Sequence, residues 1–305
     1  MRNLRSLVAA CVVVAVTGVL FLLHLGADVY HPLPPSNLHH RPGATPEKPP
    51  QTPAHDGAPP FGDFSATDRP LMPTDDPLCA HMPGRDSSIV LIVKTGATEA
   101  FGKVPTQLQT ILRCVPEVLL FSDMQQTMAG VLVRDSLDTV LEGVKRHDDF
   151  GLYRAQQECL VGQGDCMRHR DKGKEGWAMD KYKNIHIAEK AYALRPGRDW
   201  YVVIDADTYL FWTTLVAFLD RLDPTQKLLL GSIAHYKDFP FAHGGSGYIM
   251  SRAAMDDFVG KHPGIGNAYD ERVTEECCGD WMFSKAVSET SNILVTQAVS
   301  TLPPT

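Results

Sequence analysis

Three short apolar runs do most to limit the folds open to this 305-residue chain. Ile89-Val90-Leu91-Ile92-Val93, Glu117 to Phe121 and Trp200-Tyr201-Val202-Val203-Ile204 carry almost no polar residue and do not alternate. A strand with one wet face alternates, so a continuous run of this length predicts a strand covered on both faces. Stretches with helical character lie between them, at 103–113, 136–146 and 178–194. The last is spaced through Met179, Tyr182, Ile185, Ala188 and Tyr192 and stopped by Arg195-Pro196-Gly197. Further strands are expected at Leu228–Ser232 and Tyr248–Ser251, helices at 213–222 and 252–260, and a polar loop from Gly162 to Gly176. Strands alternating with helices predict an α/β, Rossmann-like, mostly parallel sheet with helices on both faces.

What precedes Ser87 has a different composition. From Leu7 to Leu25 no residue carries a formal charge. At ~1.5 Å per residue a helix of that length approaches the ~30 Å hydrocarbon core of a bilayer. Arg2 and Arg5 precede it, so residues 1–6 are expected in the cytosol, with 7–25 as a signal anchor and the remainder luminal. A cleaved signal peptide is the rival, but its apolar region is usually shorter, roughly 7–15 residues. Either reading sends the rest of the chain into the secretory pathway, and the anchor reading makes it a single-pass type II protein of the endoplasmic reticulum or Golgi membrane. Residues 31–83 hold 14 of the 22 prolines and little apolar periodicity. Residues 26–86 are therefore expected to be a Pro-rich stem, disordered and extended, that holds a luminal domain, 87–305, away from the bilayer.

Six cysteines follow the apolar stretch: Cys79, Cys114, Cys159, Cys166, Cys277 and Cys278. An even number suits disulfides in that compartment, and six allow fifteen pairings. Cys159 and Cys166 flank a short Gly-containing loop and are the favoured pair; buried free thiols are the alternative. There is no Asn-X-Ser/Thr acceptor. The formal net charge of −7 argues against a nucleic-acid-coating protein, which needs clustered positive charge. An acidic protein can still hold a phosphate through a metal ion.

Asp205-Ala206-Asp207 directly follows the third apolar run. In open α/β sheets ligands collect beyond the carboxyl ends of strands. Two carboxylates one residue apart there suit Mg²⁺ or Mn²⁺, which prefer oxygen ligands and complete their shells with water and phosphate. The alternative is a solvated turn whose acids cap the next helix. A second element, His243-Gly244-Gly245-Ser246-Gly247-Tyr248, has three glycines in four residues. They permit close backbone approach to a ligand, or else a tight turn. The third, Glu275-Glu276-Cys277-Cys278-Gly279-Asp280-Trp281, offers a carboxylate as general base, or acids that complement a helix N-terminus.

Together these elements resemble family 31 glycosyltransferases, in the Fringe-like and core 1 galactosyltransferase-like branch. The resemblance begins at Ile92-Val93-Lys94-Thr95-Gly96 and continues through Leu120-Phe121-Ser122-Asp123 and Gly176-Trp177-Ala178-Met179-Asp180-Lys181-Tyr182-Lys183. It then takes in Asp205-Ala206-Asp207 and Gly244-Gly245-Ser246-Gly247-Tyr248, and spans roughly 88–290 in order. Cys277-Cys278-Gly279-Asp280 looks most like fungal members. The resemblance implies a GT-A type fold and an inverting hexosyltransferase that uses a UDP-sugar and Mn²⁺, with Mg²⁺ as substitute. It implies a glycan or glycoprotein acceptor and a β-1,3 linkage. Asp207 would bind the metal, with Asp205 helping through the ribose or water. Lys94, Thr95 and Asp123 would line the nucleotide pocket, and Gly244, Gly245 and Gly247 would face the donor sugar or acceptor. Asp280, ahead of Glu276, would be the base. Relatives carry a C-terminal histidine that completes the metal shell, whereas the last histidine here is His262. Water in its place, a shortened domain and a catalytically inactive binding or chaperone-like relative all remain open at this point.

Overall fold

The computed structural model describes residues 77–83, 88–159 and 167–298, all within one unit, 58–305. The expected cytosolic tail, anchor and most of the stem lie outside the described residues, as does Cys166. Among the described residues no helix is long and apolar enough to cross a membrane.

The three apolar runs form strands β1 (Ile89–Lys94), β2 (Val118–Ser122) and, further along, β5 (Trp200–Asp205), all parallel neighbours of β1 or one another. Residue by residue their side chains divide between the two faces. Val90, Ile92, Leu119, Phe121, Tyr201 and Val203 belong to one core; Ile89, Leu91, Val93, Val118, Leu120 and Val202 belong to the other. Both faces are dry, which is why no alternation is visible in the sequence. Each such buried side chain contributes about 1.5–3 kcal/mol relative to exposure.

Short strands β3 (Gln126–Met128) and β4 (Val131–Asp135) extend the sheet on one side. On the other come β6 (Leu229–Gly231), β9 (Tyr248–Ser251) and β10 (Val295–Gln297), with the hairpin β7 (Ile233–Tyr236) and β8 (Phe239–Ala242) standing apart as a second sheet. The eight-stranded order is β10-β6-β9-β5-β1-β2-β4-β3. Four of its pairings are parallel; β9 runs against β5 and β6, and β3 against β4. The sheet is therefore mixed, mostly parallel and Rossmann-like.

The helices are α1 (Ala97–Gln109), α2 (Gly151–Gln157), α3 (Lys172–Asp180), α4 (Lys183–Leu194), α5 (Trp212–Leu219), α6 (Arg252–Met255, continued by a π turn to Gly260), α7 (Ile265–Thr274) and α8 (Gly279–Ser291). Several differ from expectation for tertiary reasons. α1 begins six residues before the expected 103–113, because Asp123 beyond β2 accepts from Ala97 N at 2.8 Å and Glu99 accepts from Gly96 N at 3.2 Å. The expected helix at 136–146 is a run of turns. Its backbone is satisfied from outside: Asp270 accepts from Leu141 N at 2.8 Å, and Asn267 donates to Thr139 O at 2.8 Å. The 178–194 helix is split at Lys181-Tyr182, and its first part starts at Lys172 inside the expected loop, capped by Asp171 accepting from Lys174 N.

A disulfide joins Cys79 to Cys114, tying residues from the expected stem to the segment after α1. Trp212 Nε1 also donates to Pro83 O at 2.9 Å. Cys159 is disulfide-bonded, and Cys277 and Cys278 are bonded to each other directly ahead of α8.

Candidate active site

Register places the site. Lys94 pairs with Phe121 on one side and Asp205 on the other, so β1, β2 and β5 end at one level. β9 runs the opposite way, and Tyr248 pairs with Val203, so the glycine loop before β9 opens at that same edge. This is the carboxyl edge where doubly wound sheets gather ligands. A cavity of about 650 Å³ lies there, a size that admits a small-molecule ligand. Lys94, Thr95, Asp205, Asp207, Gly244, Gly245 and Asp280 all line it.

Asp123, Gly247 and Glu276, expected in the site, do not line the cavity. Asp123 is 1% exposed and is occupied by Ala97 N and, at 3.3 Å, by Lys183 Nζ. It anchors the start of α1. Glu276 is turned away to Lys237 Nζ at 2.7 Å in the β7–β8 turn. Gly247 shapes the loop instead of touching its contents. Its φ of 80° and ψ of 153° fall where essentially only glycine is found, and a Cβ there would meet Val203 O and Ile204 Cγ2 at 3.1 Å. Gly247→Ala is expected to destabilise the protein by about 1–3 kcal/mol, read as a lower urea midpoint with unchanged slope. A midpoint equal to wild type would show that the loop does not require this backbone conformation.

Asp280 reaches the cavity because α8 starts hard against the α3–α4 junction. A Cβ on Gly279 would sit 2.7 Å from Lys181 O, so only glycine allows the approach. Asp280 then accepts from Gly244 N and, with its other oxygen, from Trp281 N, both at 2.8 Å. One carboxylate thus pins the glycine loop to the helix N-terminus. The phenol of Tyr248 beneath is pushed well up by burial, then by the charges of Asp205, Asp280 and Asp180.

The charges at the floor alternate. Lys183 Nζ contacts Asp123 at 3.3 Å, Asp180 at 3.4 Å and Thr95 O at 2.9 Å. Lys94 Nζ contacts Asp180 Oδ2 at 2.5 Å and Asp205 Oδ1 at 3.0 Å. At the mouth, Lys103 bridges Glu99 at 2.6 Å and Asp207 at 3.0 Å. Gln107 Nε2 holds the backbone of the aspartate turn through Ala206 O at 2.9 Å and Thr208 O at 3.0 Å. Burial pushes Asp205 up, against the pull of Lys94. Burial alone would also raise Asp180, but Lys94 and Lys183 hold it down at about 2. Its ion pairs stabilise the fold fully above the ordinary carboxylate range, and that contribution drains as pH falls toward 2. The urea-midpoint gap between wild type and Asp180→Asn is therefore expected to narrow below about pH 4. A gap as wide at pH 2.5 as at pH 7 would exclude these ion pairs as its source.

A cation fits this donor set. Asp205 Oδ1 is buried, lies 3.0 Å from Lys94 Nζ as an ion pair, and has no well-aligned donor among the described residues. Such an under-satisfied acceptor beside the exposed Asp207 suits a hard ion. Among the described residues no third His, Cys, Asp or Glu joins them as a ready-made site, and His262 does not line the cavity. Water and ligand phosphates are then left to complete the shell.

A Fringe-like family model matches residues 155–277. This segment is similar to the Fringe-like family. It runs from the end of α2 through the aspartate pair and the glycine loop to Cys277, and it points to a glycosyltransferase. A search of curated proteins found no match. The Fringe-like segment contains Asp205, Asp207 and Gly244–Gly247, while Lys94 and Thr95 reach its cavity from β1 and Asp280 from α8. Sequence reasoning gave no role to Lys103, Gln107, Trp177, Asp180 or Lys183. Asp180 and Lys183 pair with each other three residues apart, but their remaining acid and base partners, Lys94 and Asp123, lie 60 or more residues away. Trp177 carries the one local signal, a large aromatic beside a glycine within α3; it is 64% exposed at the cavity wall.

Proposed function

We propose that the protein is an inverting glycosyltransferase of GT-A type that moves a hexose or N-acetylhexosamine from a UDP-sugar to a glycan hydroxyl, forming a β-1,3 linkage. One observation carries this reading: a single cavity is lined by the carboxylate pair Asp205 and Asp207, the backbone of Gly244 and Gly245, and Asp280. Asp207 and Asp205 would hold Mn²⁺ or Mg²⁺, which supplies Lewis-acid stabilisation of the departing diphosphate. Lys94 and Lys103 add positive charge beside those acids. Asp280 would take the proton of the acceptor hydroxyl as its oxygen bonds to the anomeric carbon and the bond from that carbon to UDP breaks. General base catalysis of this kind contributes ~10²–10⁴-fold. One displacement from the face opposite UDP inverts the centre. Trp177 offers an apolar ring face for a sugar at the cavity wall. The apolar stretch at 7–25 supports a type II anchor in the Golgi or endoplasmic reticulum, with the catalytic domain luminal.

A second reading is a catalytically inactive relative that binds nucleotide sugars or glycans. The occupation of both Asp280 oxygens by backbone N–H groups favours it, because a carboxylate held by donors is a poorer base. UDP release from UDP-sugars, with Mn²⁺ and with or without glycan acceptors, separates the two. Acceptor-dependent release supports the transferase. UDP binding without release supports the inactive relative, and acceptor-independent release points to a hydrolase.

A further inference from the structure

Lys94 lies between two carboxylates and does not treat them alike. Its Nζ is hydrogen-bonded to Asp180 Oδ2 at 2.5 Å, while Asp205 Oδ1, at 3.0 Å, is ion-paired with it out of good alignment and has no aligned donor among the described residues. Lys94 is 6% exposed and issues from the end of β1, with Asp205 its register partner on β5. It therefore stays within reach of Asp205 whatever else it does. Asp180 is presented from the last residue of α3 and is also held by Lys183, itself 1% exposed and fixed by Thr95 O and Asp123. The five groups Asp123, Lys183, Asp180, Lys94 and Asp205 thus form a ladder of alternating charge across the cavity floor. Its aligned hydrogen bonds end at Lys94 and leave the last carboxylate with an oxygen that is ion-paired but short of an aligned donor.

We propose that Asp180 is a positioning residue that draws the Lys94 ammonium away from Asp205 and so keeps that carboxylate available to a divalent cation. The inference rests on the reading of Asp205 and Asp207 as cation ligands. Without the Asp180 charge, Lys94 has one anionic neighbour left on its side of the ladder. It turns fully onto Asp205 as an aligned, hydrogen-bonded ion pair, and a cation must then displace an ammonium no longer shared with Asp180. The consequence is competition between Lys94 and the metal, which Asp180, itself on the cavity wall, relieves by holding the ammonium.

The test is equilibrium binding of Mn²⁺ itself, in the presence of UDP, to the whole luminal part of the chain. Electron paramagnetic resonance of the free ion is the readout, with no turnover required. Asp180→Asn is expected to weaken Mn²⁺ binding at least tenfold. Lys94→Met is expected to bind Mn²⁺ at least as tightly as wild type. The double variant Lys94→Met/Asp180→Asn, which has the wild-type net charge and lacks the competing ammonium, is expected to recover to within about threefold. A merely structural role for Asp180 predicts instead that lost Mn²⁺ binding follows lost folding, so a urea melt of each variant is read beside the binding, and the proposal expects all three to be folded under the binding conditions. Asp180→Asn within twofold of wild type, or a double variant as weak as the single one, overturns the proposal while leaving the cation reading intact. Wild type that binds no Mn²⁺ overturns both.

Discussion

Asp207→Ala is expected to lower acceptor-dependent UDP release by ~10³-fold or more at saturating Mn²⁺, about 4 kcal/mol of transition-state stabilisation. Asp207 is exposed, and at the cavity mouth it pairs with Lys103 at 3.0 Å. Its removal should therefore leave folding almost unchanged, since an exposed ion pair is worth about 0–1 kcal/mol. That separation of a large kinetic effect from a small stability effect marks a ligand-binding acid. Single-turnover UDP release and a urea melt of the same variant give both numbers. Full activity in Asp207→Ala would eliminate the cation assignment, and a collapsed melt would move Asp207 from chemistry to structure.

The opposite signature is expected at Lys183. Its ammonium is 1% exposed and serves Asp123, Asp180 and Thr95 O together. Lys183→Met keeps the aliphatic stem but leaves Asp123 buried with an uncompensated charge. Breaking one side of a buried pair costs about 3–5 kcal/mol. A loss of that size is a large part of a typical ~5–15 kcal/mol total, and the variant should show a markedly lower urea midpoint. Lys183→Met/Asp123→Asn removes the unpaired charge, and a substantial part of the loss should return. An additive double variant would show that the two residues act independently.

The contrast between these residues explains what could be read in the chain. β1, β2, β5 and β9 were legible because burial on both faces leaves a mark in composition over four to six consecutive residues. The aspartate pair, the glycine loop and the Asp280 segment were legible as local strings, and all three meet at one cavity. β3, β4, the β7–β8 hairpin, α7 and β10 were not anticipated. Most are three to five residues long, and so short a run carries no period. The turns at 136–146 kept a helical look because their competitor, the Asp270 and Asn267 side chains, sits on a helix more than 120 residues later.

Sequence alone determined the fold class, the strand ends where a ligand collects, and which residue types stand there, since these follow from hydrophobic pattern and short-range spacing. Only tertiary structure decided their duties. It set Asp280 in the cavity and sent Glu276 to Lys237. It also buried Asp123 beneath α1 and strung Lys94 and Lys183 between three acids. A carboxylate's role depends on which donors reach it and how much water remains around it. Both are properties of groups brought together from distant parts of the chain, and neither is written at the residue itself.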